Sequence, residues 1–208
     1  MFSVCLGCGA FRPDRLIEDG DSIAVCPECG QRQPFVKKPL LVVGGASGSG
    51  KSTLCQALLG RVPGAVLLDS DVLWRPEFNT PENGFAEFFE TWLRLAVALN
   101  QSCGPLVLLG AGFAVPGNLE TRVYRRYLGP IHYLALVCRA EVLQSRLRAR
   151  PAWRDSAGEA FVAQQLAFNQ WLQEPGPHSA PDYTVIDTTV LSVEQTRERL
   201  AGWLEMRL

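Results

Sequence analysis

One run of residues constrains this 208-residue chain more than any other: Gly45-Ala46-Ser47-Gly48-Ser49-Gly50-Lys51-Ser52, which fits G-x-x-x-x-G-K-[ST]. The apolar segment Leu40-Leu41-Val42-Val43 leads into it and the helical pattern Thr53–Leu59 leads out. Between a strand and a helix, glycines let the backbone wrap a phosphate with its N–H groups inward, and the helix N-terminus adds positive potential. Lys51 is then placed to neutralise the β- and γ-phosphates, and the Ser52 hydroxyl to hold Mg²⁺. The expectation is a triphosphate site, for ATP, over Gly45 to Thr53. After Lys38 the chain contains one lysine, and it is Lys51.

From residue 40 onward, short apolar runs alternate with longer helical patterns, the mark of a parallel sheet covered by helices. Strands are expected at 40–44, 65–69, 105–110, 131–138 and 183–187, and helices at 51–60, 84–101, 117–127, 140–149, 158–173 and 192–206. The 84–101 helix is expected to bury Phe85, Phe88, Trp92, Leu95, Ala96 and Leu99. Pro175–Pro181 reads as a connecting loop. No apolar stretch reaches the ~18–20 residues of a membrane span, and no basic n-region marks a signal peptide. A net charge of −1 gives the molecule as a whole no field for nucleic acid or an anionic membrane.

The first 38 residues differ, and a domain boundary is placed between residues 38 and 39. Cys5-x-x-Cys8 and Cys26-x-x-Cys29 are separated by 17 residues, a spacing that reads as a four-cysteine zinc site. Two tight turns each present two thiolates to one tetrahedral ion, and Gly9 and Gly30 follow the pairs where the backbone must turn. The segment resembles a zinc ribbon. Redox pairs or disulfides are the alternatives, and a chain with no secretory signal points to the reducing cytoplasm, where metal binding is commoner. A closed four-cysteine site has a structural role. Contact of the ribbon with nucleic acid or protein stays open, although its five basic and five acidic residues mark no nucleic-acid face. Cys55, Cys103 and Cys138 are expected in the core.

Val66-Leu67-Leu68-Asp69-Ser70-Asp71 reads as a strand ending in D-x-D, whose carboxyl end faces the same crevice as the phosphate loop. Asp69 is a candidate for Mg²⁺, through a bound water, and Asp71 for the base that accepts a proton from an attacking hydroxyl. Capping of the next turn is the alternative for both. With this pair and the loop, residues 40–208 resemble the small P-loop kinases of the nucleoside-monophosphate-kinase-like group, which includes shikimate, gluconate, adenylylsulfate and chloramphenicol kinases and the kinase domain of polynucleotide 5′-kinases. The resemblance implies a P-loop NTPase three-layer α/β fold with a five-stranded parallel sheet, ahead of which sits the small zinc ribbon.

It also implies a lid. Residues 122–154 hold eight arginines (122, 125, 126, 139, 146, 148, 150 and 154) against one acidic residue, Glu141. This looks like the pre-lid helix and lid of such kinases, whose arginines close over the phosphates. Arg150 and Arg154 are the lid candidates and Arg146 the third; a solvated basic helix face is the alternative. Asp187 is expected as a cap or turn residue, and His132 and His178 as strand and loop residues.

The third strand ends in Gly110-Ala111-Gly112 with no carboxylate, and no N-K-x-D sequence occurs. Residues 72–102, with Trp74, Arg75, Glu77, Asn79 and Arg94, would face the acceptor. The implied function is an ATP- and Mg²⁺-dependent phosphotransferase acting on a small metabolite or nucleoside/nucleotide. The alternatives are a polynucleotide 5′-hydroxyl kinase and a switch ATPase that docks a partner through the ribbon.

Overall fold

The computed structural model describes residues 3–18, 22–154, 156–174 and 183–208. The proline-rich segment 175–181, with His178, lies outside the described residues. At the N-terminus, β1 (Leu16–Ile17), β2 (Ile23–Val25) and β3 (Arg32–Pro34) form an antiparallel sheet with Leu16 opposite Val25 and Ala24 opposite Gln33. The rest alternates as expected: β4 (Leu40–Gly45), α1 (Lys51–Leu58), β5 (Val66–Asp69), α2 (Ala86–Asn100), β6 (Leu106–Leu109), α3 (Gly117–Glu120), β7 (Ile131–Val137), α4 (Ala140–Arg148), α5 (Glu159–Trp171), β8 (Tyr183–Asp187) and α6 (Val193–Glu205).

The second sheet has five parallel strands in the order β5-β6-β4-β7-β8. Every residue of β4 is buried, because helices cover both faces, and this explains why its sequence is an unbroken apolar run. The period of two sorts its side chains. Leu41 and Val43 join Leu54, Leu58, Leu200 and Trp203 of α1 and α6, whereas Leu40 and Val42 join Phe88, Trp92 and Ala96 of α2. The phosphate loop leaves the carboxyl end of β4, beside the point where the strand order reverses. Among the described residues, no helix is long and apolar enough to cross a membrane.

Three expectations need correction. Cys103, expected in the core with Cys55 and Cys138, is exposed, because it falls in the turn that follows α2. The apolar face of α2 is rotated: Phe89, Leu93 and Val97 are buried with Phe88, Trp92 and Ala96, while Phe85, Leu95 and Leu99 are only partly buried. The cause is a second layer on this helix. Phe35 and Ala24 of the N-terminal segment share its core, Arg94 lies 5.7 Å over the ring of Phe11, and Gln101 exchanges hydrogen bonds with the backbone of Val36. The expected helix 117–127 is broken into α3 and a 3₁₀ stretch, Val123–Tyr127. Glu90 on α2 accepts from the N–H groups of Val123 (3.1 Å) and Tyr124 (2.8 Å), so its carboxylate rewards a fresh helical start there.

That 3₁₀ stretch is the seat of the N-terminal segment. The Tyr127 hydroxyl donates to the carbonyl of Pro13 (2.7 Å) and accepts from the N–H of Arg15 (3.2 Å), and Ser3 and Tyr124 share a hydroxyl hydrogen bond at 2.6 Å. Arg126 donates to the carbonyls of Asp14 and Arg15, each at 3.1 Å.

Candidate active site

Between β4 and α1 the loop adopts the cradle its glycines allow. Gly45 has φ +147, and a Cβ there would lie 2.5 Å from the Leu136 carbonyl oxygen and 2.6 Å from Ser49 Oγ, so no other residue fits. Ser49 Oγ is buried with no hydrogen-bond partner among the described residues, a polar atom left for a ligand or water to satisfy. Lys51 folds back along the loop, and its Nζ donates to the carbonyls of Gly45 (2.9 Å) and Ala46 (3.0 Å). Burial lowers the Lys51 ammonium to about 8, against the opposing pull of Asp71 and Asp69.

The loop opens onto a cleft of about 570 Å³. Ser47 through Thr53 line one wall; Asp69, Asp71, Gly110 and Ala111 line a second; Arg146, Arg150, Trp153 and Arg154 overhang it; Thr188 and Leu191 close the far side. Gly45 and Ala46 do not line the cleft and serve instead as the acceptors that position Lys51. Asp69 ends β5, and its Oδ1 accepts from the Asp71 N–H at 3.0 Å, capping the 3₁₀ turn Ser70–Leu73. That bond turns the Asp71 carboxylate, which is exposed, toward the same space as Lys51. Ser52 and Asp69 lie on facing walls and offer a hydroxyl and a carboxylate, hard oxygen donors suited to Mg²⁺.

The eight arginines of 122–154 divide by position. Arg150 and Arg154 line the cleft; Arg150 is lowered by burial and by the like charge of Arg154, with Asp71 opposing. Arg146 also lines it, but its guanidinium is held, donating to Thr188 Oγ1 and to the Thr188 carbonyl at 3.0 Å each. Arg122, Arg125 and Arg126 lie away from the cleft: Arg122 donates to the Asn118 carbonyl, Arg125 pairs with Glu120, and Arg126 binds the N-terminal segment. Six of the eight therefore fall into two groups, one at the lid and one around the 3₁₀ stretch that seats the N-terminal sheet, where Arg126 alone reaches that sheet's segment; Arg139 and Arg148 are exposed and line neither. Arg94, assigned to the acceptor region, points to that seat as well. Asp187 is a turn residue, its Oδ1 accepting from Thr189 N–H at 2.8 Å.

Two polar residues on α5 escaped the sequence reading. Gln165 Oε1 accepts the N–H of Ser47 at 2.8 Å, fixing the start of the phosphate loop. One turn later, buried Asn169 accepts from the Cys138 N–H (3.1 Å) and donates to the Cys138 carbonyl (2.7 Å), completing the end of β7. Two amide side chains four residues apart, on a helix face that is otherwise apolar, are the only trace this leaves in the sequence.

In the N-terminal segment the sulfurs of Cys5, Cys8, Cys26 and Cys29 all lie within 4.8 Å of one another, with Cys5–Cys29 at 3.6 Å and Cys8–Cys26 at 3.9 Å. A tetrahedral zinc with ~2.3 Å bonds sets its sulfurs ~3.8 Å apart, so the cluster fits that ion. Gly9 and Gly30 take φ +74 and +73, and their N–H groups close turns onto the carbonyls of Cys5 and Cys26. The Gly7 N–H donates to Cys5 Sγ at 3.4 Å, as thiolate ligands require. Among the described residues all cysteines are free.

Comparison with known proteins places this geometry. A family model described as an AAA domain matches residues 40–175. No curated protein matches the chain. Among solved structures, a sugar kinase from Janibacter sp. is similar at 23% identity and a TM-score of 0.57, covering 81% of this chain and 95% of its own. The tunicamycin resistance protein of Deinococcus radiodurans is similar at 18% identity and 0.58, covering 81% and 96%. A gluconokinase from Sinorhizobium meliloti is similar at 20% identity and 0.52, covering 84% and 95%. The fold is the one these three proteins share, two of them named as kinases, and since the family model spans more than half of the sequence, the chain belongs to the AAA-domain family.

Proposed function

We propose that this protein is an ATP- and Mg²⁺-dependent kinase that moves the γ-phosphoryl group to a hydroxyl of a small molecule. One observation carries the reading: Asp71, Lys51, Arg150 and Arg154 converge on a single cleft whose floor is the phosphate loop. The neighbours named as sugar kinase and gluconokinase support it, since their fold is matched over most of their length.

Phosphoryl transfer needs positioning and charge neutralisation more than covalent chemistry. Lys51 releases the carbonyls of Gly45 and Ala46 and pairs with the triphosphate. Asp71 takes the proton of the acceptor hydroxyl as its oxygen attacks the γ-phosphorus, and the bond to the β–γ bridging oxygen breaks to leave ADP. Arg150 and Arg154 neutralise the charge spread over the transferring group, and their descent excludes the water that would otherwise be phosphorylated. Mg²⁺, held through Ser52 and Asp69, would supply further charge neutralisation. In the N-terminal segment, Cys5, Cys8, Cys26 and Cys29 would hold a structural zinc. None of its described residues lines the cleft, which favours a small acceptor over a polynucleotide led in by the ribbon.

The test follows the labelled γ-phosphate of ATP with Mg²⁺ and pooled hydroxyl acceptors. Label on an acceptor is expected. Label released only as free phosphate, whatever the pool, would replace the kinase reading with a switch-type ATPase.

A further inference from the structure

We propose that Gln165 is a positioning residue that couples the phosphate loop to the lid. The peptide group between Ala46 and Ser47 hangs between Lys51 and Gln165, so that a phosphate drawing Lys51 away is felt in α5. The inference rests on the kinase reading above and adds how the cleft registers its nucleotide.

The coupling begins at that one peptide group. Its carbonyl, on Ala46, accepts from Lys51 Nζ at 3.0 Å and from the Ser49 N–H at 3.1 Å. Its amide, on Ser47, donates to Gln165 Oε1 at 2.8 Å. Hydrogen bonds at the two ends of one amide polarise each other, so neither is independent of the other. Lys51 is the side chain assigned to the triphosphate, and Gln165 belongs to the helix that follows the lid. When Lys51 turns from the Ala46 carbonyl to the phosphates, the peptide is released at one end. Its plane then resets about the bond to Gln165.

The lid is built to respond, because both its stems rest on the phosphate loop. α4 does so through apolar contact. Leu143 and Leu147 are fully buried and cluster with Ala46, and a Cβ on Gly48 would lie 3.2 Å from Leu143 Cδ1 and 3.3 Å from Leu147 Cδ2. α5 enters the same cluster through Val162, and Gln165 adds its bond to the loop. Apolar packing is non-directional and lets surfaces slide, whereas a hydrogen bond fixes direction. The stems are also tied to each other. Asn169 bonds both backbone groups of Cys138 ahead of α4, and the buried Ser156 hydroxyl donates to the Leu147 carbonyl at 3.2 Å. The turn between them is held locally, with the Arg150 N–H on the Leu147 carbonyl and the Arg154 N–H on the Pro151 carbonyl. Where Arg150 and Arg154 stand over the cleft is therefore set by the stems, and Gln165 sets α5 against the loop.

The experiment reads the lid without phosphoryl transfer. Trp153 lies in the lid turn, is 75% exposed and reports through its emission, with Trp153→Phe as the spectral blank for the other tryptophans. A saturating non-hydrolysable ATP analogue with Mg²⁺ should shift that emission in the unmodified chain. At saturation Gln165→Met should lose most of the shift, and so should Gln165→Asn, whose amide stops one methylene short of Ser47. Gln165→Glu keeps an acceptor and should retain the shift once the analogue is saturating. With labelled ATP and an acceptor, Gln165→Met should raise the ratio of free phosphate to transferred label about tenfold, because misplaced arginines admit water. A weaker Kd with the full shift at saturation would show that Gln165 only props the loop, and would overturn the coupling. A shift lost equally in Gln165→Glu, or absent from the unmodified chain, would overturn it too. An unmodified chain that releases only free phosphate overturns the kinase reading instead, and the emission series decides the coupling separately.

Discussion

At the scale of single residues, Lys51 is a group whose charge depends on its setting. Burial lowers it from 10.5 to about 8, so between those values the unfolded chain binds more protons than the folded one. Stability is expected to rise with pH across that window and to level off above it, with the burial penalty fully present below about 8. A urea titration at several pH values checks this, and Lys51→Met should remove the slope. Nucleotide affinity should move the other way. Above about pH 8 binding must draw a proton to the amine, so Kd should weaken by up to about tenfold per pH unit. Lys51→Ala should abolish nucleotide turnover with the fold intact; retained turnover would contradict the phosphate-loop assignment. Asp71→Asn should slow transfer by ~10²–10⁴ while leaving the carbonyls that hold Lys51 in place, a split read by single-turnover transfer against equilibrium nucleotide binding.

At the scale of elements, Gln165 and Glu90 are hydrogen-bond acceptors that fasten one segment to another. Gln165→Met keeps the volume but strands the Ser47 N–H, at a cost of ~1–3 kcal/mol, and should appear as a lower melting temperature and a raised KM for ATP. Glu90→Ala should loosen 123–127, read as faster hydrogen exchange at Val123 and Tyr124. These elements also show how far a sequence can be read. The five strands were legible because a sheet covered on both faces writes itself as apolar runs, and α1, α4 and α6 because their periodicity is local. The break after Thr121 was not, since its cause is a carboxylate on another helix, 33 residues away from Val123. In the cleft, Gly45–Ser52 announces itself through the backbone geometry it needs. Gln165 does not, because any glutamine on a helix reads alike until its partner is known. The arginines of 122–154 looked like one device because charge is visible in sequence and direction is not.

At the scale of the whole molecule, the N-terminal segment and the five-stranded domain share a core, through Phe35, Ala24 and the T-shaped pair of Phe35 with Tyr127 at 5.6 Å. The purified protein is expected to carry one zinc per chain, and chelation should lower the melting temperature of the entire chain in one transition. A ribbon that melts alone, with the main transition unmoved, would show the shared core to be energetically idle. The docking has one more consequence. Arg94, Gln101, Arg126 and Tyr127 rivet the ribbon to α2 and to 123–127, the elements flanking the acceptor side. That side is braced from behind, so movement on binding is expected on the opposite side of the cleft, in the described turn Ala149–Arg154 that follows α4. Ligands should then slow hydrogen exchange across that span and leave α2 unchanged, and the rate of its reopening would set the pace of product release.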